Sequence, residues 1–297
     1  MAVDQVQLAT FQAVVSEGSF EAAARSLHVT PSAVSQRIKA LERTVGQVLV
    51  RRTRPCRATE AGRSLLRLAG QVALLEREAL AAARGPLAGG RTRTRVAVVV
   101  NADSLATWFL PALASLPADL ALSFDVFTDD EDHTAELLRD GSAMAAVTAQ
   151  NVAVQGCAVR PLGAMRYQAL AAPALHRGHF AAGSRAAGLA AAPVLAFDRK
   201  DQLQHRFLGA LVRRRLEPPV HYVPSSWGCL DAIRLGLGWG MVPEQLARLD
   251  LAAGRCVEIA PGRHLDVPLY WQYWRLESPV LAALTAAMTA AAAGALR

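Results

Sequence analysis

"FEAAARSLHVTPSAVSQRIKALERTVGQVLVRR", Phe20 to Arg52, decides how the first third of the chain is read. Phe20 to Leu27, with Ala22, Ala23 and Ala24, has the pattern of a short helix whose small residues let another helix come close. "HVT" then makes a tight turn. Thr30 is a good N-cap, and Pro31 takes the first helical position, where its missing N–H costs nothing. The helix that follows, "PSAVSQRIKALERTVG", carries Val34, Ile38, Leu41 and Val45 on one stripe, which predicts their burial. Its other face shows Ser32, Ser35, Gln36, Arg37 and Lys39. Short hydroxyls and an amide lead, and two cations follow. That order suits a recognition helix, whose leading groups reach base edges while the cations meet phosphates.

The flanking sequence supplies the rest of a DNA-binding head. Upstream, Leu8, Phe11, Val14 and Val15 recur at helical spacing, and Gly18 ends that segment. Downstream, "VLVRRTRPCRATEAG" predicts two short strands around Pro55, a hairpin in which Arg51, Arg52, Arg54 and Arg57 make a basic wing. Thr59 caps a long helix, Glu60 to about Ala83, apolar at Leu65, Leu66, Leu68, Val72, Leu75 and Leu80. Such a helix has no core of its own at this point in the chain, so it is expected to pair with the same helix of a second subunit. "RGPLAGGRTRT", Arg84 to Thr94, reads as a hinge or linker.

Charge agrees with this placement. The net +7 is concentrated in residues 1–95, where 15 Arg or Lys face 7 Asp or Glu, a net +8; residues 96–297 hold 17 against 18. A polar helix face is more often merely solvated, but a local basic excess is the footprint of a polyanion binder, with nucleic acid the first candidate. The 52% apolar and 19% charged composition of 297 residues indicates folded domains, two or three in number. No long uncharged apolar span or signal-peptide pattern occurs, so the expected location is the cytoplasm, away from membranes. Cys56, Cys157, Cys229 and Cys256 are far apart, suggesting neither a zinc site nor a disulfide framework.

From Arg95 onward the pattern changes to α/β. Strand-like runs at Val96–Val100, Leu120–Phe127, Ala143–Thr148, Val194–Phe197 and Val220–Val223 alternate with amphipathic segments such as Thr134 to Asp140. "VNADSLATWF", Val100 to Phe109, places polar residues at the end of the first strand, where α/β units hold small ligands. No GxSxG, P-loop or GxGxxG signature appears. "HRGH", His176 to His179, lacks the Glu of a metalloprotease and reads as a polar loop. "YWQYW", Tyr270 to Trp274, reads as strand and core. An enzyme is therefore not expected, and neither a metal nor a cofactor is called for.

The stretch quoted first closely resembles the winged helix-turn-helix signature of the LysR-type transcriptional regulators. "VNADSLATWFLPAL", "AFDRKDQ" and "GLGWGMVP" resemble one branch, the lysine- and arginine-responsive (LysG/ArgP) type. The resemblance implies a winged helix-turn-helix with a long linker helix, then a two-subdomain α/β effector-binding domain resembling periplasmic binding proteins. The corresponding bounds are 1–59, 60–91 and 92–297, with subdomain I at about 92–162 and 268–297 and subdomain II at about 163–267. It implies Pro31, Ser32, Ser35, Gln36 and Arg37 at double-stranded DNA, with homodimers or homotetramers as the working form and RNA polymerase as a further partner. It also implies control of a basic amino-acid exporter gene by a small ligand, L-lysine or L-arginine.

Such a ligand needs separate groups for its carboxylate, α-ammonium and side chain. Ser104, at the start of a helix Leu105–Ala114, and Thr148, ending "AMAAVT", offer hydroxyls, with Leu105 and Trp108 on the same wall. A basic side chain calls for carboxylates, and Asp130, Asp198 and Asp201 each lie near a strand end. In "SSWG", Ser226 is a further hydroxyl. Trp227 stands where the branch carries an acidic residue, and could stack on a guanidinium or an aliphatic stem. The competing expectations are a regulator answering to another metabolite and an enzyme or binding protein with an incidental helix-turn-helix.

Overall fold

The computed structural model describes residues 3–84, 93–128, 131–180, 185–212 and 215–297. The first elements are α1 (Gln5–Ser16), α2 (Phe20–Ser26), α3 (Pro31–Val45), β1 (Val50–Arg51), β2 (Arg57–Ala58) and α4 (Glu60–Arg84). Then come β3 (Thr94–Val100), α5 (Ala102–Ser104), a π-helical turn Leu105–Phe109, α6 (Leu110–Ala114) and, after a 3-10 turn Ala118–Leu120, β4 (Leu122–Thr128). Next are α7 (Glu131–Asp140), β5 (Ala145–Thr148), β6 (Cys157–Ala171), α8 (Pro173–His179) and α9 (Arg185–Ala191). β7 (Val194–Ala196), α10 (Leu203–Leu211), β8 (Val220–Tyr222), α11 (Ser226–Arg234) and β9 (Trp239–Pro243) follow. α12 (Glu244–Ala252), β10 (Val257–Glu258), β11 (His264–Trp274) and α13 (Pro279–Ala295) complete the chain.

Two compact units result. The first comprises residues 1–100, 116–160 and 271–286, and the second 101–115, 161–270 and 287–297. The chain thus passes between units at the two ends of the segment 101–115, within β6, within β11 and within α13.

In the first unit the helical head closes over Phe11, Val14, Val34, Ile38, Leu41 and Leu49, with Leu66 of α4 in the same core. Val45 departs from the expected stripe and is 37% exposed, because α3 ends there at Gly46, whose φ of +76° turns the chain away. β3 lies parallel between β4 and β5, in registers Thr94↔Leu122 and Val98↔Ala145.

α4 corrects the expectation that it lacks a core of its own. It buries Leu66, Ala69 and Leu74 against its own chain. Gly70 lets the Trp274 ring approach to where a Cβ would meet Cη2 at 2.8 Å, and Gly141 after α7 lies closer still against the Arg67 backbone, where a Cβ would meet Cα. Glu78 accepts from Ser278 Oγ (2.5 Å), and Arg67 donates to Gln155 O (2.5 Å). What remains is a second stripe, Leu68, Leu75 and Leu80, at 40%, 40% and 46% exposed.

The second unit is built on β6, β9, β7 and β8 in that order. β7 runs parallel to both β8 and β9, and β6 is antiparallel to β9 through Tyr167↔Pro243. Leu170, Leu195, Leu230, Ile233 and Val242 form its core, with Ala106 of the π-helical turn packed on it. β6, at 15 residues, was not legible as a strand, since Pro161 and Gly163 interrupt its pattern. Trp271 and Trp274 are fully buried core residues, as expected. The His-x-x-His segment is helix α8 rather than a loop, and among the described residues no His, Cys, Asp or Glu cluster could hold a metal ion.

Candidate functional site

The DNA-binding candidates lie on the helical head. Thr30 Oγ1 accepts the Ala33 N–H (3.2 Å), with Pro31 starting α3. Val34, Ile38 and Leu41 anchor one face at 0%, 1% and 0% exposure. Pro31, Ser32, Gln36 and Lys39 stand exposed on the opposite face, while Ser35 and Arg37 are half-buried. Arg37 is drawn back toward α1, its Nη1 donating to Thr10 Oγ1 at 3.5 Å. Behind α3, Leu49 N–H donates to Glu42 Oε1 (2.9 Å), fixing the path into the hairpin. The hairpin pairs Val50↔Ala58 and Arg51↔Arg57, and Arg51, Arg52, Arg54 and Arg57 are all exposed. Arg52 sits over the Phe20 ring at 4.7 Å, a cation–π contact that ties the hairpin to α2.

The polar tip after β3 belongs to the second unit. The helical winding begins at Ala102 with Asn101 as N-cap, three residues before the expected start at Leu105, so Ser104 is inside the first turn. Ser104 is fully buried, and its Oγ has no hydrogen-bond partner; the same holds for Trp108 Nε1 and Asn101 Oδ1. A π-helical turn then widens the helix over Leu105–Phe109, an irregularity frequent at functional sites. Ser226, at the head of α11, is 9% exposed and its Oγ makes no hydrogen bond of normal geometry. Trp227 beside it is 52% exposed.

The residue that sequence reasoning passed over is Asp103. Its Oδ2 accepts from Tyr167 Oη at 2.7 Å. Its side chain keeps a solvent-facing edge, yet protein crowds it enough that burial pushes its pKa up, with the Ser226 and Tyr167 hydroxyls pulling the other way and the Asp201 charge adding to the rise. The signal lay in the stretch itself, a carboxylate between two polar neighbours at a strand end.

The acids favoured from sequence differ. Asp201 Oδ2 accepts from Phe197 N (3.0 Å) and Gln204 Nε2 (3.1 Å), and its Oδ1 from Leu203 N (2.9 Å). Asp198 Oδ1 accepts from Lys200 N and Asp201 N (2.7 and 3.0 Å). Both pin the loop between β7 and α10, where they line a shallow pocket with His205 and Tyr222. Asp130 lies outside the described residues. Thr148 belongs to the first unit, buried, its Oγ1 accepting the Gln150 N–H at 3.1 Å.

The four cysteines are free thiols. Among the described residues no helix is long and apolar enough to cross a membrane.

Two family models match the sequence: "Bacterial regulatory helix-turn-helix protein, lysR family" over residues 6–63, and "LysR substrate binding domain" over residues 88–293. The HTH-type transcriptional regulator LysG of Mycobacterium tuberculosis is 52% identical over 295 residues, 99% of this chain and 95% of that protein. Among solved structures, ArgP from Mycobacterium tuberculosis superposes with a TM-score of 0.89 at 51% identity, covering 100% of this chain and 99% of that one. Full-length LysG from Corynebacterium glutamicum with bound effector Arg gives 0.80 at 42% identity, covering 99% of each chain.

Proposed function

We propose, from the premise that this chain belongs to the LysR family of transcriptional regulators, that it senses L-arginine or L-lysine in the cytoplasm and controls a basic amino-acid exporter gene. The observation that carries the sensing half is the set of buried, unpartnered polar atoms around Asp103 and Ser104, a site prepared for a polar ligand. The related LysG with arginine bound supports the choice of ligand. Calorimetry of the full-length protein with L-arginine and L-lysine tests it, and no binding of either sinks it.

The DNA half rests on the exposed face of α3. Ser32, Ser35 and Gln36 read bases, while Lys39, Arg51 and Arg52 meet phosphates, and Arg37, held back on Thr10, turns to the DNA only when it gives up that contact. The working form is a homodimer joined through the exposed stripe Leu68, Leu75 and Leu80, or a homotetramer of such dimers, and at the promoter it meets RNA polymerase. A two-fold dimer reads an interrupted palindrome with half-sites about one helical turn apart or a multiple of it. Gln36→Ala should cost roughly 1–3 kcal/mol on operator DNA and little on random DNA, measured by mobility shift with the protein's own upstream sequence. Arg51→Ala should weaken both DNAs alike and reduce the salt slope. Glu at both Leu68 and Leu75 should give monomers by light scattering; intact dimers would place the interface elsewhere.

A further inference from the structure

We propose that Asp103 is the group that reads the α-ammonium of the effector, with the Ser226 hydroxyl and the first turn of α11 reading its carboxylate. The assignment rests on the reading that this protein senses a free amino acid.

Three observations carry it. First, Asp103 has capacity left. A carboxylate offers about four acceptor positions; the hydrogen bond from Tyr167 Oη uses one and the Ser226 hydroxyl faces another, which leaves room for an ammonium. No Arg, Lys or His pairs with it among the described residues, and a desolvated carboxylate is costly until a cation arrives. Asp198 and Asp201, by contrast, already take backbone N–H groups and an amide. Second, the Ser104 hydroxyl, at 0% residue exposure, has no hydrogen-bond partner, and the Ser226 hydroxyl, at 9%, lies beside Asp103 without a hydrogen bond of normal geometry. Buried hydroxyls are ordinarily satisfied, so an incoming polar group is the missing partner. Third, α11 is a nine-residue helix whose N-cap, Ser225, accepts the Gly228 N–H (3.1 Å). The Ser226 and Trp227 N–H groups have no partner within the helix and favour an anion.

The chemistry of the ligand joins these. The ammonium and carboxylate of an amino acid sit on one carbon, so the groups that read them must be neighbours. Asp103 and Ser226 meet that requirement inside one unit of the fold.

The experiment is calorimetry of the full-length protein with L-arginine, agmatine (no carboxylate), L-argininic acid (a hydroxyl in place of the α-ammonium) and L-norleucine. Wild type should bind L-arginine about 30-fold or more tighter than L-argininic acid or agmatine. Asp103→Asn should lose most of its affinity for L-arginine and bind L-argininic acid nearly as wild type does, so the preference collapses. Ser226→Ala should narrow the preference over agmatine. The melting temperature of ligand-free Asp103→Asn should equal or exceed wild type, which a merely structural carboxylate would not allow. Equal wild-type binding of L-arginine and L-argininic acid overturns the proposal whatever the variants do. So does unchanged L-arginine affinity in Asp103→Asn, a result that leaves basic-effector sensing intact. Asp103-dependent binding of L-norleucine without L-arginine binding would overturn the choice of effector and sustain the role of Asp103. No binding of any of the four overturns both.

Discussion

Asp250 and Asp103 are carboxylates of the same unit in opposite situations. The Asp250 side chain is 1% exposed but fully answered: Arg234 holds it by two hydrogen bonds (Nε 2.8 Å, Nη2 2.6 Å), and Arg255 adds a third (2.6 Å). The Arg234 hydrogen bonds hold its pKa below the usual carboxylate range, despite burial. Asp103 keeps a solvent-facing edge but faces only hydroxyls and another acid, and its pKa moves upward. Burial by itself therefore does not mark a functional acid. A paired buried charge secures architecture, here the end of α11 to the end of α12, while half-buried Asp103 has no cation beside it among the described residues.

The largest test of this contrast removes the paired acid. Asp250→Ala should destabilise the protein by about 3 kcal/mol, the low end for breaking a buried pair, because Arg234 and Arg255 are 30% and 52% exposed and can rehydrate. Urea unfolding measures it, and a loss as large for Asp103→Asn would erase the distinction. The next effect comes from ligand. At a concentration 100-fold above its Kd, L-arginine should stabilise wild type by about 2.7 kcal/mol. Asp250→Asn, if folded, should keep this gain and Asp103→Asn should lose it.

The smallest effect is a pair of opposite pH slopes. Asp103 binds its proton more tightly folded than unfolded, so its contribution to ligand-free stability is present at low pH and fades as pH rises above about 3.9, the ordinary carboxylate value. Asp250 binds its proton less tightly folded, so its contribution is present above that value and lost as pH falls. Melting temperature against pH should lose its upper decline in Asp103→Asn and its acid-side decline in Asp250→Asn. Two variants changing the same limb would break the comparison.

The helix-turn-helix was legible because its signals are local. Thr30, Pro31 and the period of Val34, Ile38 and Leu41 sit within a few residues of what they control, and the exposed face of α3 follows from that period. The family resemblance rests on the same residues. Other elements resisted for a physical reason. α4 was read as having one unpaired stripe, but Trp274 and Glu78's partner Ser278 lie some two hundred residues further along the chain. Only folding brings them to it and divides its apolar residues between a buried row and an exposed one.

By itself the sequence determined the DNA-binding head, the α/β pattern behind it and the polar stretch around Ser104. It also supplied the acids from which a ligand-reading group could be drawn, but not the choice among them. What the tertiary structure decided is which of those acids already have partners, because whether a carboxylate is satisfied depends on atoms far along the chain. Tyr167 is 64 residues from Asp103, and no cation comes with it among the described residues. Asp201 is closed off by its own loop, and Asp250 by an arginine 16 residues away. Local pattern fixes which groups a chain carries, and long-range packing fixes which of them are left without a partner.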